Sequence, residues 1–377
     1  MPVRSPEGKE RRPVAVTRPP RRRRRRPVLV LSLGLALALF VAANVFVKHY
    51  EDELMRVSAF DNQYTAAHLV DYENGPTPDV VFLGSSRTSA AFVPSLMSSY
   101  LSAAYGMDVR GVNLGIASGN FESSYQILKN VIRDSRKPKL IVYGISEHEL
   151  LPNLEIGHLP HTEQFLSLDQ FSRHSGDTLG SKAAFVLDHV LPVFRDRDLI
   201  RDWFSIRFNE SDPRHGYYAE GPTHLNRPPD GFWALPGPAP ADLIEVQKQL
   251  WGTLLGNFAW SPESMLRLEE LIRLAQRRDI AVALVNLPAP PVYRNLWSSP
   301  TALDGYRAVV AEVARRTDVP LLDLYEASPS VIPLEGFYDV NHLSPVGATQ
   351  VTVLAAEQLI KPALADDPPA EAGRGFG

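Results

Sequence analysis

Asp79-Val80-Val81-Phe82-Leu83-Gly84-Ser85-Ser86-Arg87-Thr88 is an apolar run that stops at a glycine and then turns polar. A short, uninterrupted apolar stretch of this kind predicts a strand buried on both faces, with the residues after the glycine emerging at its carboxyl end. The pattern recurs. Val109 to Leu114 leads into Gly115-Ile116-Ala117-Ser118-Gly119-Asn120, Leu140 to Tyr143 ends at Gly144, and Ala281 to Leu287 and Leu321 to Leu324 supply two further strands. Helical spacing intervenes at Val93, Leu96, Met97, Tyr100, Leu101 and Ala104, and again at Phe121, Tyr125, Leu128 and Ile132. Ser261-Pro262 reads as an N-cap followed by proline at the first helical position, and Met265, Leu268, Ile272 and Ala275 continue that helix. Leu303 to Val313 and Ser344 to about Lys361 read as the last two helices. Such alternation predicts an α/β fold, a three-layer, doubly wound, mostly parallel sheet. Ligands of such sheets sit at the carboxyl ends of the strands, which is where Ser86 falls.

Near the C-terminus the chain reads Asp339-Val340-Asn341-His342-Leu343-Ser344. A serine hydroxyl is inert at neutral pH unless a histidine takes its proton, and a carboxylate holds that histidine in the useful tautomer. Ser86, His342 and Asp339 fit those three roles. Taken singly, Gly-Ser-Ser is a common turn, and His342 before Ser344-Pro345 also fits a helix N-cap; the conjunction, each half at a strand end or a pre-helix loop, favours a site. Arg87 either aims at a carboxylate or phosphate of a polymer or pairs with an acid inside the fold. Asn113 and Asn120 either buttress the loop after the second strand or cap its helix. Glu147-His148-Glu149 and His158-x-x-His161 carry metal-ligand types without a paired helical spacing or a third ligand in register, so neither a metal nor a cofactor is expected.

From Val28 to Val47 the chain runs VLVLSLGLALALFVAANVFV without a charge, enough to span roughly 30 Å of hydrocarbon as a helix. The arginine run Arg21 to Arg26 precedes it and Lys48, Glu51, Asp52 and Glu53 follow, so the positive-inside rule predicts a cytoplasmic N-terminus and a single-pass protein. The main domain is then extracellular or periplasmic. A cleaved signal peptide is the competing reading, with an apolar stretch longer than the usual h-region. The net charge is −4, and residues 1–26 hold eleven basic and two acidic side chains, which leaves −13 on the remainder. An acidic outer domain argues against nucleic acid as a partner. The chain has no cysteine, which excludes disulfides, thiol nucleophiles and thiolate metal sites.

Gly-x-Ser after the first strand, a glycine-bearing loop after the second and Asp-x-x-His before the last helix together resemble the SGNH (GDSL-like) hydrolase superfamily. With Gly84-Ser85-Ser86-Arg87 and one N-terminal membrane helix, the likeness extends to its envelope-polymer acylation branch, the teichoic-acid D-alanyl transfer and alginate O-acetylation proteins. It covers about Pro78 to Leu150 and Ser261 to Lys361. The resemblance implies a flavodoxin-like SGNH fold, catalytic Ser86, Asp339 and His342, and oxyanion donors from the Ser86 amide and the Gly115 to Gly119 loop. The superfamily usually carries Gly-x-Asn-Asp after the third strand, whereas this chain reads Gly144-Ile145-Ser146-Glu147. Ser146 stands where the asparagine donor would be, and a missing donor costs on the order of 3 kcal/mol in the transition state. The implied function is a serine acyltransferase or esterase acting on an envelope polysaccharide or acylated polymer, its acyl donor delivered by a membrane-bound O-acyltransferase. A non-catalytic polymer-binding or scaffold protein of an export complex is the alternative.

The domain layout that follows is a basic cytoplasmic tail over 1–26, a transmembrane helix over 27–47, a helical stalk over 48–77, the SGNH-like domain over 78–362 and a disordered tail over 363–377. Residues of about 150–260, rich in proline, histidine and aromatics, read as an insertion, either a lid or acceptor surface or an ordinary packed elaboration.

Overall fold

The computed structural model describes residues 26–51, 54, 69, 72–116, 119–151, 178–211, 230–235 and 237–365. The basic tail before Arg26, most of the stalk, His158-x-x-His161, the middle of the insertion and the tail beyond Ala365 lie outside them. The chain divides into two units, Met1–Phe46 and Val47–Gly377. In the first lies most of helix α1 (Arg26–His49), whose apolar side chains, among them Val30, Leu31 and Leu33, are exposed. Val30–His49 is long and apolar enough to cross a membrane, a description that a signal sequence also meets.

The second unit is built on a sheet of five parallel strands, β1 (Val80–Gly84), β2 (Gly111–Asn113), β3 (Leu140–Ile145), β4 (Ala281–Asn286) and β5 (Leu321–Asp323), in the order β2-β1-β3-β4-β5. Alternation of side chains explains the two packed faces. Val81, Leu83, Ile141, Tyr143, Val282 and Leu284 point into one core, while Val80, Phe82, Leu140, Val142, Ala283 and Val285 point into the other. Helix α2 (Ser86–Ser89) is a single turn directly after β1, and helix α3 (Pro94–Tyr105) delivers Met97 and Leu101 to the second core. Helices α4 (Phe121–Gln126), α8 (Pro262–Arg277) and α9 (Pro300–Thr317) cover the first, and α10 (Pro345–Ala355) packs Val351 and Ala355 beside α3. The fold is therefore a three-layer α/β sandwich with flavodoxin-like strand order.

Strand β2 is shorter than the apolar run over Val109 to Leu114 predicts. It is the edge strand, and the outward Asn113 N–H donates to the Asp230 carbonyl at 2.7 Å, so a crossing segment covers the edge. Ser261 caps α8 by accepting from the Ser264 amide. The last helix passes through a widened turn at Ala356–Ile360 and continues past Lys361 to Ala365, because Ala363 and Leu364 still find apolar neighbours in the second core.

The described parts of the insertion include α5 (Leu179–Val190), α6 (Arg197–Phe208) and α7 (Ala241–Gly256). Of these, α7 is anchored on the sheet domain: Leu255 is fully buried in the first core, and Ile244 and Trp251 pack against it.

Strand order reverses between β1 and β3, and this opens a crevice at their carboxyl ends. The two ends are brought close by glycine. Gly84 (φ +143°) lies opposite Gly144, and a Cβ on Gly84 would meet Thr88 Oγ1 at 2.2 Å and the Gly144 carbonyl at 2.5 Å. Gly84→Ala therefore combines a disfavoured φ with a backbone clash. It is expected to lower stability by more than about 2 kcal/mol in urea unfolding, whereas Gly237→Ala, at a positive φ with open space around it, costs less.

Candidate active site

Ser86 is the first residue of α2, preceded by the extended Ser85, and its side chain remains half-buried at the crevice. Its Oγ lies 2.9 Å from Nε2 of His342. On the other side of the ring, His342 Nδ1 is 2.8 Å from Asp339 Oδ2. Because the Asp339 carboxylate can only accept, Nδ1 carries the proton and Nε2 presents a lone pair to the Ser86 hydroxyl.

The Asp-x-x-His spacing has a local cause. Asp339 Oδ1 accepts from the backbone amides of Asn341 at 2.9 Å and His342 at 2.7 Å, closing a turn that carries the imidazole back over its own carboxylate. Asp339 Oδ2 also accepts from Gln247 Nε2 at 2.9 Å. Burial by itself would raise this carboxyl. The His342 hydrogen bond, the electrostatic influence of its ring and the two backbone amides together outweigh burial, and the group sits at about 2. Trp233 stands edge-on to the His342 ring with centroids 5.5 Å apart.

The other residues nominated from sequence are placed differently. Arg87 points inward: its guanidinium is 2% exposed and donates to Glu147 Oε2 at 2.7 Å and to the Pro288 carbonyl at 2.7 Å. Tyr293 donates to the other oxygen of Glu147. Of the two readings of Arg87, the structure brings about the internal ion pair and not an exposed group aimed at a polymer. Ser146 is fully buried, and its hydroxyl lies 2.9 Å from that of Ser85, so it is engaged with the residue before Ser86.

The loop glycines are engaged as well. Gly115 N–H donates to Asn113 Oδ1 at 3.0 Å and Gly119 N–H to the Ile116 carbonyl at 2.9 Å. Both glycines are needed for close approach, since a Cβ on Gly115 would lie 2.6 Å from the Ser89 amide nitrogen. Ser85 forms a parallel bridge with Ile116, whose N–H donates to the Gly84 carbonyl at 2.8 Å, so the Ser86 N–H faces the Ile116 carbonyl. Asn113 buttresses: its amide donates to the Thr88 and Phe92 carbonyls at 2.9 Å each, tying the end of β2 to the turns after β1. Asn120 caps, accepting from the Ser123 amide.

Glu147-His148-Glu149 is an interior group. Glu147 is paired with Arg87, and Glu149 accepts from Tyr143 Oη and the Ser146 amide. Among the described residues no cluster of His, Asp or Glu is arranged to hold a metal ion. Two residues near the site carry no motif. Gln247 and Trp233 both come from the insertion, and no spacing rule in the sequence links either to Asp339 or His342.

No family model matches the chain, and no curated protein matches it. Solved structures similar to it include a lipase/acylhydrolase from Enterococcus faecalis, at 14% identity over 74% of this chain and 93% of that one, with a TM-score of 0.37. An acetylxylan esterase from Geobacillus stearothermophilus is similar at 14% identity over 78% and 96%, with a TM-score of 0.36. A GDSL-like lipase from Bacteroides thetaiotaomicron is similar at 12% identity over 80% and 97%, also with a TM-score of 0.36.

Two predictions come from these interior groups. Arg87→Met strands the Glu147 carboxylate in the core and is expected to cost about 3–5 kcal/mol in urea unfolding. Arg87→Met with Glu147→Gln removes both charges and is expected to cost clearly less than the single substitution.

Stability should also depend on pH in a defined way. Burial lowers His148 to about 4, so its contribution is complete above its ordinary 6.5 and is lost as pH falls toward 4. Burial raises Glu149 to about 8, so its contribution is complete below its ordinary 4.5 and is lost as pH rises toward 8. Between the ordinary values of 4.5 and 6.5 the two slopes oppose and cancel. Unfolding free energy measured against pH should fall by about 1.4 kcal/mol per unit between 6.5 and about 8. Glu149→Gln is expected to remove the alkaline fall.

Proposed function

We propose that this chain is a serine-dependent acyl-transferring enzyme of the SGNH type, an esterase when water is the acceptor and an acyltransferase when a sugar hydroxyl is. The observation that carries the proposal is the unbroken relay from Asp339 through His342 to a half-buried Ser86 hydroxyl at a strand end.

In the first half-reaction His342 Nε2 takes the Ser86 proton as Oγ attacks the acyl carbonyl. The Ser86 amide, at the start of α2, would be a donor to the developing oxyanion. Collapse of the tetrahedral intermediate breaks the ester bond, and the imidazolium returns its proton to the departing alcohol. In the second half-reaction His342 deprotonates the acceptor hydroxyl, which attacks the acyl-Ser86 ester and regenerates free Ser86. Asp339, held well below the usual carboxylate range, stays ionised throughout and steadies the imidazolium each time it forms.

The membrane side of the proposal rests on α1 and the arginine run before it. With the N-terminus cytoplasmic, the sheet domain faces the extracellular or periplasmic side, where O-acyl esters of an envelope polysaccharide or acylated polymer are the accessible substrates. A separate membrane-bound O-acyltransferase would supply the acyl group. The sparse oxyanion donors favour transfer from such a partner over rapid hydrolysis.

The same sparseness favours the second reading. A domain whose Gly115 and Gly119 amides are occupied internally, and whose Ser146 hydroxyl is paired with that of Ser85, is also what a polymer-binding scaffold that kept the fold would show.

The two separate on the full-length protein treated with a fluorophosphonate probe and with p-nitrophenyl acetate. The enzyme reading expects probe on Ser86 and ester turnover, both reduced at least about 10³-fold in Ser86→Ala and in His342→Ala. Wild-type protein that takes no probe and matches both variants in turnover would sink it.

A further inference from the structure

The acidic end of the relay is completed from outside the elements that carry it. Gln247 projects from α7, in the insertion, and its Nε2 donates at 2.9 Å to Asp339 Oδ2, the oxygen that receives His342 Nδ1 at 2.8 Å. Its orientation is fixed by charge: an ionised carboxylate accepts only, so the amide nitrogen must face it. The other half of the amide, Oε1, is buried and has no partner among the described residues. A side chain kept only for packing would be apolar here, because an orphaned buried carbonyl is a standing cost.

One turn further along the same face, Trp251 packs edge-on against Tyr293 with centroids 5.6 Å apart. Tyr293 donates to Glu147, and Glu147 pairs with Arg87, the residue after Ser86. Thus α7 touches the support of the nucleophile turn through Trp251 and the acid through Gln247. Leu255 anchors the helix in the core beneath.

We infer that Gln247 is a positioning residue for the reaction proposed above, acting through Asp339 to hold the His342 ring on line with Ser86. The inference rests on that reading of the site. The two backbone amides fix Asp339 Oδ1, and Gln247 occupies the side of Oδ2 that His342 leaves open, so the carboxylate presents one direction to the imidazole. Without the amide, Oδ2 regains a free lone pair, and the ring has more than one way to satisfy Nδ1–H.

The test uses the full-length protein and Gln247→Met, which keeps the length of the side chain and deletes the donor. With p-nitrophenyl acetate, kcat is expected to fall on the order of tenfold with KM within about twofold, since orientation and not binding is lost. In an Asp339→Ala background the same substitution should change kcat less than about twofold, because no carboxylate remains to be held. A tenfold loss that persists in that background would overturn the inference.

A second readout needs no turnover. In protein labelled with ¹⁵N-histidine, the downfield proton of the His342–Asp339 bond, identified by its loss in His342→Ala, should shift or broaden in Gln247→Met. It should stay in place in Gln249→Met, on the exposed side of α7. An unchanged signal in Gln247→Met overturns the inference whatever the kinetics. A displaced signal in a protein that takes no fluorophosphonate supports the positioning role and counts against the enzymatic reading alone.

Discussion

The Arg87 guanidinium, buried one residue after Ser86, donates to the Glu147 carboxylate and to the main-chain carbonyls of Leu287 and Pro288. One cation thereby draws together the turns that follow β1, β3 and β4. Burying a full positive charge is expensive unless it is paired and hydrogen-bonded, and here the acceptors for Nη1 and Nη2 come from the turns after two other strands, while the buried Nε has no partner among the described residues. Glu147 is in turn held by Tyr293, so the charge balance of the interior and the position of the nucleophile turn are the same constraint. The Asn113 amide repeats the device from the side of β2, gathering the Thr88 and Phe92 carbonyls. The Ser86 hydroxyl is thus the half-buried tip of a turn in which Ser85, Arg87 and Thr88 all bond to the interior.

His342 arrives by a different route. Asp339 and His342 sit on one turn before α10, closed by two hydrogen bonds from backbone amides to Asp339 Oδ1, so the pair forms a rigid local unit. What local geometry cannot supply is the distance between that unit and the nucleophile turn, which lie far apart in the chain. The packing of α10 beside α3 and the contact of α7 with both sides set that distance. The price of this arrangement is a site with few uncommitted donors, since Ser146, Gly115 and Gly119 are spent on holding the turns together. In the reaction proposed for this site, so few donors would make the identity of the acyl donor matter more to rate than in an efficient hydrolase.

The sheet was legible in the sequence because its central strands are buried on both faces, which forces uninterrupted apolar runs ending in glycine at the crevice. Ser86, His342 and Asp339 could be nominated because short-range rules act on each motif: a strand-to-helix turn needs Gly84, and Asp-x-x-His closes on itself. The partner of Arg87 was not legible, since Glu147 lies in another loop and an arginine beside a serine reads equally well as a substrate group. Nor was the fate of Ser146, whose pairing with Ser85 depends on how closely Gly84 and Gly144 bring β1 and β3 together. Gln247 was invisible. It lies on a helix of the insertion and meets Asp339 only through tertiary packing, and a glutamine among polar neighbours carries no signal of its own.

The claim on which the account stands is that Ser86 is a nucleophile activated by His342. Rapid acid quenching of the full-length protein after mixing with p-nitrophenyl acetate, followed by mass spectrometry of its peptides, tests this most directly. The account predicts an acetyl group on the peptide bearing Ser86, absent from His342→Ala. An unmodified Ser86 in wild type, or the same acetylation in the variant, would contradict it.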